Sequence, residues 1–246
     1  MSDLSDRTTI VVGASRGLGH GIATAFAEAG APVVAVSRTA AAFPEPATGS
    51  LVSEVADAGD ATVAGRLFEQ YDPAVVVLVA GASPYMRPLQ EHTWETFSVN
   101  WDTDVRIAFH WLREILLEPM RPGGRVIVVS SGAALAGSPL SGGYAGAKAT
   151  QRFITDYARG EAQRAGLDLT FTAVLPRFAP ETRVGRSAVR AYAARAGQPL
   201  DQFLRQAGPL LTPQIAGAAL VDLAETKPAD VANAYVLNGA GLQKLP

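Results

Sequence analysis

A tyrosine and a lysine stand four positions apart at Tyr144 and Lys148, with Ser131 thirteen positions before the tyrosine. Residues four apart share a helix face, so the ammonium would lie beside the phenol and stabilise its ionised form. A free tyrosine titrates near pKa ~10, too high for proton transfer at neutral pH. A cation that lowers it makes Tyr144 a candidate general acid/base. Alone, such a pair is more often a solvated or packing contact, and the surrounding motifs reverse that weighting.

The segment Gly13-Ala14-Ser15-Arg16-Gly17-Leu18-Gly19 follows a short apolar run and opens an Ala-rich stretch. Glycines at such a strand-to-helix turn let a pyrophosphate approach the amides and the positive dipole end of the helix. The spacing is G-x-x-x-G-x-G, not the commoner G-x-G-x-x-G, and tight packing is the plainer alternative. After the second apolar run, Ser37-Arg38 stands where an NAD site would carry a carboxylate for the ribose hydroxyls. Arg38, helped by Arg16, would instead grip a 2′-phosphate through charged, forked hydrogen bonds. The expected cofactor is therefore NADP(H) in preference to NAD(H).

Short β-branched runs at 8–12, 33–36, 51–55, 75–79, 126–129 and 169–175 alternate with helical stretches at 18–29, 61–71, 93–117 and 144–165. Most of the runs are apolar on both faces, which suits strands of a parallel sheet covered by helices on each side. The expected fold class is doubly wound α/β, with a final strand near 234–237. Residues 39–50 read as a loop. Residues 176–213, rich in proline and glycine, are too long for a plain connection and read as a functional lid or an inserted helical hairpin.

Composition narrows the alternatives. At 246 residues and 48% hydrophobic the chain can bury a substantial core as one domain. A net charge of −2 and scattered arginines give no attraction to nucleic acid or an anionic membrane. Zero cysteines exclude disulfides and thiolate chemistry, and three histidines without ligand spacing make a metal site unexpected. His20 and His110 read as packing or surface residues. The polar, acidic start from Met1 to Arg7 lacks the pattern of a secretory signal, and no apolar run reaches the ~18 residues of a membrane span. These features point to a soluble, cytoplasmic protein.

In order along the chain, the glycine loop, Asp57, Ala80-Gly81, Asn100, Ser131, Tyr144 and Lys148 together resemble the short-chain dehydrogenase/reductase family. The resemblance covers nearly the whole chain. It implies a single Rossmann-type domain over 1–246, a sheet of about seven strands and a substrate lid at about 177–212. It implies an oxidoreductase that interconverts a carbonyl and an alcohol, with Tyr144 as acid/base and Ser131 holding the substrate oxygen. Lys148 would tune the tyrosine and bind the ribose, and Asn100 would position a relay water. Ser130 is the rival of Ser131. The cofactor would be contacted by Gly13, Ser15, Arg16, Gly17, Leu18, Gly19, Ser37, Arg38, Asp57, Ala58, Ala80, Gly81, Tyr144, Lys148 and Pro176. The partners implied are a small carbonyl or alcohol substrate and further copies of the chain, as a homodimer or homotetramer through the 93–117 and 144–165 helices.

Two positions depart from the family pattern. Leu78-Val79 replace the asparagines that often precede Ala-Gly. Pro176 is followed by Arg177 instead of glycine, which leaves Thr182 as the nearest candidate for the nicotinamide amide and Arg177 as a candidate contact for an anionic substrate. These departures keep two other functions open: a dinucleotide-binding sensor without turnover, and a reductase of acyl chains tethered to a carrier protein.

Overall fold

The computed structural model describes residues 4–245, so the first three positions of the polar start lie outside the described residues. Eight strands form one sheet: β1 Thr9–Val12, β2 Pro32–Ser37, β3 Ser50–Val55, β4 Val75–Leu78, β5 Gly124–Val129, β6 Leu169–Pro176, β7 Ala234–Asn238 and β8 Gly241–Lys244. Their order is β3-β2-β1-β4-β5-β6-β7-β8; neighbours pair parallel except β7 with β8. The strand beyond the expected seven is β8. It has no β-branched residue and forms only as the second arm of a hairpin in which Asn238 pairs with Gly241.

Alternation along the strands builds two cores. Val11, Val75 and Val77 pack with Ile22, Phe26, Leu220 and Leu223 on one face, while Ile10, Val12, Val76 and Leu78 pack with Leu67, Trp111 and Ile115 on the other. Both sides of each central strand are therefore apolar, as two-sided coverage requires. The edge strand β3 is the exception to that expectation, with Val52 and Val55 largely exposed.

Helix α1 spans Gly17–Glu28 and α2 spans Val63–Tyr71. The helix expected at 93–117 runs without interruption from Trp94 to Leu117, with a π-helical turn within it: α3 covers Trp94–Asn100, the π turn Trp101–Val105, and α4 Arg106–Leu117. After the short α5, Ala133–Ala136, comes α6 over Gly142–Arg164, then α7 Arg183–Arg195, α8 Leu200–Gln206 and α9 Pro213–Glu225. Helix α9 is absent from the sequence reading. Pro213 ends the loop there, but it is also the first residue of a helix capped by Thr212, whose hydroxyl accepts from the Ile215 amide at 3.2 Å. The 176–213 stretch forms a helical hairpin, α7 and α8, with its ends tied by the Leu211 amide donating to the Phe178 carbonyl at 2.9 Å.

The π turn and α6 approach closely because α6 offers glycine there. A Cβ on Gly143 would run into the Phe97 carbonyl, and one on Gly146 would lie 3.3 Å from the Trp101 ring. Trp101 Nε1 donates to the Gly143 carbonyl at 3.1 Å. No described helix is long and apolar enough to cross a membrane. Gly143→Ala should lower unfolding stability by about 1–3 kcal/mol, because the neighbouring backbone must shift. Gly160→Ala in the same helix, with nothing within 4 Å of the added carbon, should be neutral or stabilising by up to ~1 kcal/mol. Urea denaturation of the two variants checks the contrast.

Candidate active site

A cavity of about 1150 Å³ lies at the carboxyl ends of β1, β2, β4, β5 and β6. That exceeds the roughly 300–1,000 Å³ of a pocket for one drug-sized ligand. Every residue named above as a catalytic or cofactor candidate lines it except Asn100.

At one end the loop after β1 turns into α1. Gly13 has φ +97°, and a Cβ there would sit 2.5 Å from Ala80 Cα, so only glycine allows the loop to cross the end of β4. Arg16 precedes the helix in extended conformation; no side chain caps the first amides of α1, and its first turn holds no acidic residue. Uncapped amides at a 12-residue helix start suit an anion. Arg16 and Arg38 are exposed on the same cavity. The Ser37 hydroxyl donates to the Thr39 carbonyl at 2.7 Å. Asp57 Oδ1 accepts from the Gly59 amide at 2.9 Å, shaping a turn, and the Ala58 carbonyl accepts from Trp111 Nε1 at 3.1 Å. Glycine turn, free amides and two guanidiniums form a donor set that fits the phosphates of a dinucleotide.

The other end carries the hydroxyl chemistry. β5 delivers two serines with opposite fates. The buried Ser130 hydroxyl donates to the Lys148 carbonyl at 2.7 Å, whereas the part-exposed Ser131 stays on the cavity wall with Tyr144, its Oγ accepting from the Ala133 amide at 3.2 Å. Helix α6 sets Lys148 Nζ 5.6 Å from the Tyr144 ring centre. Tyr192 of α7 reaches over the same end and hydrogen-bonds the Ser138 hydroxyl.

Lys148 is buried, and its partner is Asp104, a residue the sequence reading did not single out. The Nζ to Oδ2 distance is 3.1 Å and neither side chain is more than 5% exposed. Lys148 Nζ also donates to Gln151 Oε1 at 2.8 Å, and Gln151 Nε2 donates to the Asp104 carbonyl at 2.9 Å. Asp104 Oδ1 accepts from the Ala82 amide at 2.7 Å and from Asn100 Nδ2 at 3.3 Å. Asn100 thus stands behind Asp104 and not on the cavity wall, its Nδ2 also donating to the Ala82 carbonyl at 2.9 Å. The signal available in the sequence was the Asn100/Asp104 spacing of four. The π turn, which no propensity announces, aims Asp104 inward.

These contacts act on the phenol in both directions. Burial pushes the Tyr144 phenol up; Lys148 and the Ser131 hydrogen bond pull it down, Asp104 and Tyr192 push it up again, and the net direction is upward. For Lys148, burial pulls the ammonium down, yet the charge of Asp104, Tyr144 and the Asp104 hydrogen bond carry it above its ordinary value. The lysine's influence on the phenol is therefore opposed by its own counter-ion.

At the departures from the family pattern, Leu78 is core and the Val79 amide donates to the Val12 carbonyl at 2.9 Å. Thr182 caps α7, accepting from the Gly185 amide at 3.0 Å, and its side chain lies 3.5 Å from where a Cβ of Gly17 would stand, beside the glycine loop. Arg177 is exposed, its Cγ 3.5 Å from the equivalent point of Gly132. His20 stacks on Phe43 with ring centres 4.5 Å apart, away from this chemistry.

The model of the short chain dehydrogenase family matches residues 7–192. This chain belongs to that family. Among curated relatives, a hydroxynaphthalene reductase-like protein Arp2 of Metarhizium majus is 29% identical over 190 residues, spanning 70% of this chain and 68% of the relative. Hydroxynaphthalene reductase arp2 of Aspergillus fumigatus is 31% identical over 196 residues, 70% of this chain and 66% of the relative. A solved short chain dehydrogenase from Mycobacterium avium shares the fold, with TM-score 0.76 and 21% identity over 100% of this chain and 86% of that one. Family membership makes this short-chain dehydrogenase an oxidoreductase whose cofactor is a nicotinamide dinucleotide.

Ser130→Ala should destabilise the fold by about 0.5–1.5 kcal/mol, since it removes a buried hydrogen bond that the Lys148 carbonyl accepts besides its place in the α6 ladder. Ser131→Ala should leave the unfolding midpoint nearly unchanged, which urea titration of both variants compares.

Proposed function

We propose that this short-chain dehydrogenase is an NADP(H)-preferring reductase that interconverts a carbonyl and an alcohol. The observation that carries the reading is one cavity wall holding Ser131 and Tyr144 above a buried Lys148, with the glycine turn and two arginines, exposed and in no ion pair among the described residues, at the cavity's other end. When bound, the dinucleotide supplies the hydride for the carbonyl carbon. Negative charge then develops on the carbonyl oxygen, where a preorganised donor stabilises the transition state most. Ser131 Oγ donates a hydrogen bond to that oxygen and Tyr144 Oη delivers the proton. Lys148 limits how far burial raises the phenol, and it is placed to hold a ribose hydroxyl. Arg38 and Arg16 hold the 2′-phosphate.

In this reading the hairpin at 177–212 is the substrate lid. Phe178 packs edge-on against Tyr192 and Phe203, with ring centres 6.2 and 5.6 Å apart, and all three line the cavity with Leu135 and Met86. This apolar wall favours an aromatic or otherwise apolar carbonyl compound. Hydroxynaphthalene-type compounds head the screen because the matched relatives carry that name. Phe109, Phe153 and Tyr157 are exposed on α4 and α6. They support a homodimer or homotetramer through these helices.

Fluorescence titration with NADPH and NADH should show tighter binding of NADPH. Arg38→Asp should shift the ratio of affinities toward NADH by roughly tenfold or more, the value of a charge-assisted hydrogen bond; an unchanged ratio places the selector elsewhere. Tyr144→Phe should lower turnover by at least ~10²-fold while NADPH affinity stays within a few fold. The engagement of Lys148 by Asp104 favours one other reading, a dinucleotide sensor. Nucleotide binding with no turnover of any carbonyl compound selects that reading.

A further inference from the structure

Among the described residues, the cluster beneath the cavity is built around a carboxylate. A Cβ on Gly81 would lie 2.7 Å from Asp104 Oδ2, so the glycine after Ala80 leaves the space the carboxylate fills. The Ala82 amide and Asn100 Nδ2 donate to Oδ1, Lys148 Nζ pairs with Oδ2, and Gln151 ties the lysine to the Asp104 carbonyl. The stretch after β4, the end of α3 and helix α6 thus hold one buried charge against the lysine. We propose that Asp104 is a positioning residue of this site: it claims the Lys148 ammonium and so favours Tyr144 as the protonated phenol, the form from which carbonyl reduction starts.

The inference rests on the oxidoreductase reading above and adds the protonation state of its acid/base. In reduction the Tyr144 O–H bond breaks and its proton joins the substrate oxygen, the hydride being what a bound reduced dinucleotide would supply; solvent then returns a proton to the phenolate. This step needs a phenol at the start. Alcohol oxidation needs a phenolate, which an unopposed lysine would supply and a lysine shared with a carboxylate supplies less well. The groups facing Tyr144 are Lys148 on its own helix, Ser131 from β5, Asp104 from the π turn and Tyr192 from α7. Asp104 is the carboxylate among them. Lys148 and Asp104 are themselves buried, where solvent screens charge little.

The test is the isosteric Asp104→Asn, with Gly81→Ala as a second variant that displaces the carboxylate without removing it. Tyr144 ionisation is read as ultraviolet phenolate absorbance after a rapid pH jump, against Tyr144→Phe in each background to subtract the other tyrosines. The pH profile of carbonyl reduction is measured in parallel, with Asp104→Glu as the charge-restoring control. In Asp104→Asn the phenolate midpoint should fall by about one pH unit or more, and the alkaline limb of the reduction profile should fall with it. Gly81→Ala should move both the same way by less, and Asp104→Glu should restore them at least in part. A purely structural role would lower turnover and leave both midpoints in place. An unmoved or raised midpoint in a folded Asp104→Asn protein overturns the inference, as does a drop in Asp104→Glu equal to that in Asp104→Asn. If the midpoint falls but no carbonyl compound is turned over, the carboxylate's control of the phenol stands while the oxidoreductase reading fails.

Discussion

A lysine ammonium buried under a cavity is stable only where the chain supplies a counter-charge and enough hydrogen bonds, since desolvating each ion costs several kcal/mol. Lys148 and Asp104, 3.1 Å apart, meet that condition here. The demand organises much of the surrounding structure. The end of β4 presents the Ala82 amide, α3 ends at Asn100, the π turn aims Asp104 inward, and α6 carries both Lys148 and Gln151. Removing one partner would strand the other, which is the costly case for a buried pair. The same constraint shows in an orphan: Asn100 Oδ1 is buried without a hydrogen-bond partner among the described residues, because its amide nitrogen is turned to the carboxylate and to the Ala82 carbonyl.

Close packing makes this electrostatics possible. Gly81 leaves room for the carboxylate, and Gly143 and Gly146 let α6 draw near Phe97 and Trp101. Each glycine works by the volume it leaves empty. Beneath them the alternating strands bury apolar side chains on both faces, giving a rigid sheet whose carboxyl ends hold Ser131 and the glycine turn in fixed relation. The cavity is then polarised along its length. Arg16 and Arg38 stand at the end of the uncapped α1 amides, while at the hydroxyl end the charges of Lys148 and Asp104 cancel. Phosphate is welcome at one end and a neutral phenol at the other.

Much of this was legible along the chain because it is written in local patterns. The glycine turn before α1, the tyrosine and lysine four apart, and the β-branched runs all lie within a few residues, and local steric and helical rules act at that range. What was not legible depended on distant partners. β8 exists because β7 pairs with it, α9 was hidden behind the proline that starts it, and the helix expected over 93–117 opens into a π turn whose Trp101 bonds to α6. Ser130 and Ser131 were indistinguishable in kind, and burial separated them.

The sequence by itself determined the fold class, the family and the candidate set of Ser131, Tyr144 and Lys148, because periodicity and spacing specify elements and place residues on common faces. Only the tertiary structure decided the electrostatic state of that set. It placed Asp104, forty-four positions before Lys148, against the ammonium, moved Asn100 behind it, and set burial and the Asp104 charge against the lysine's pull on the phenol. The reason is physical: a pKa answers to burial and to charges within a few ångströms in space, and neither quantity is defined until the chain has folded.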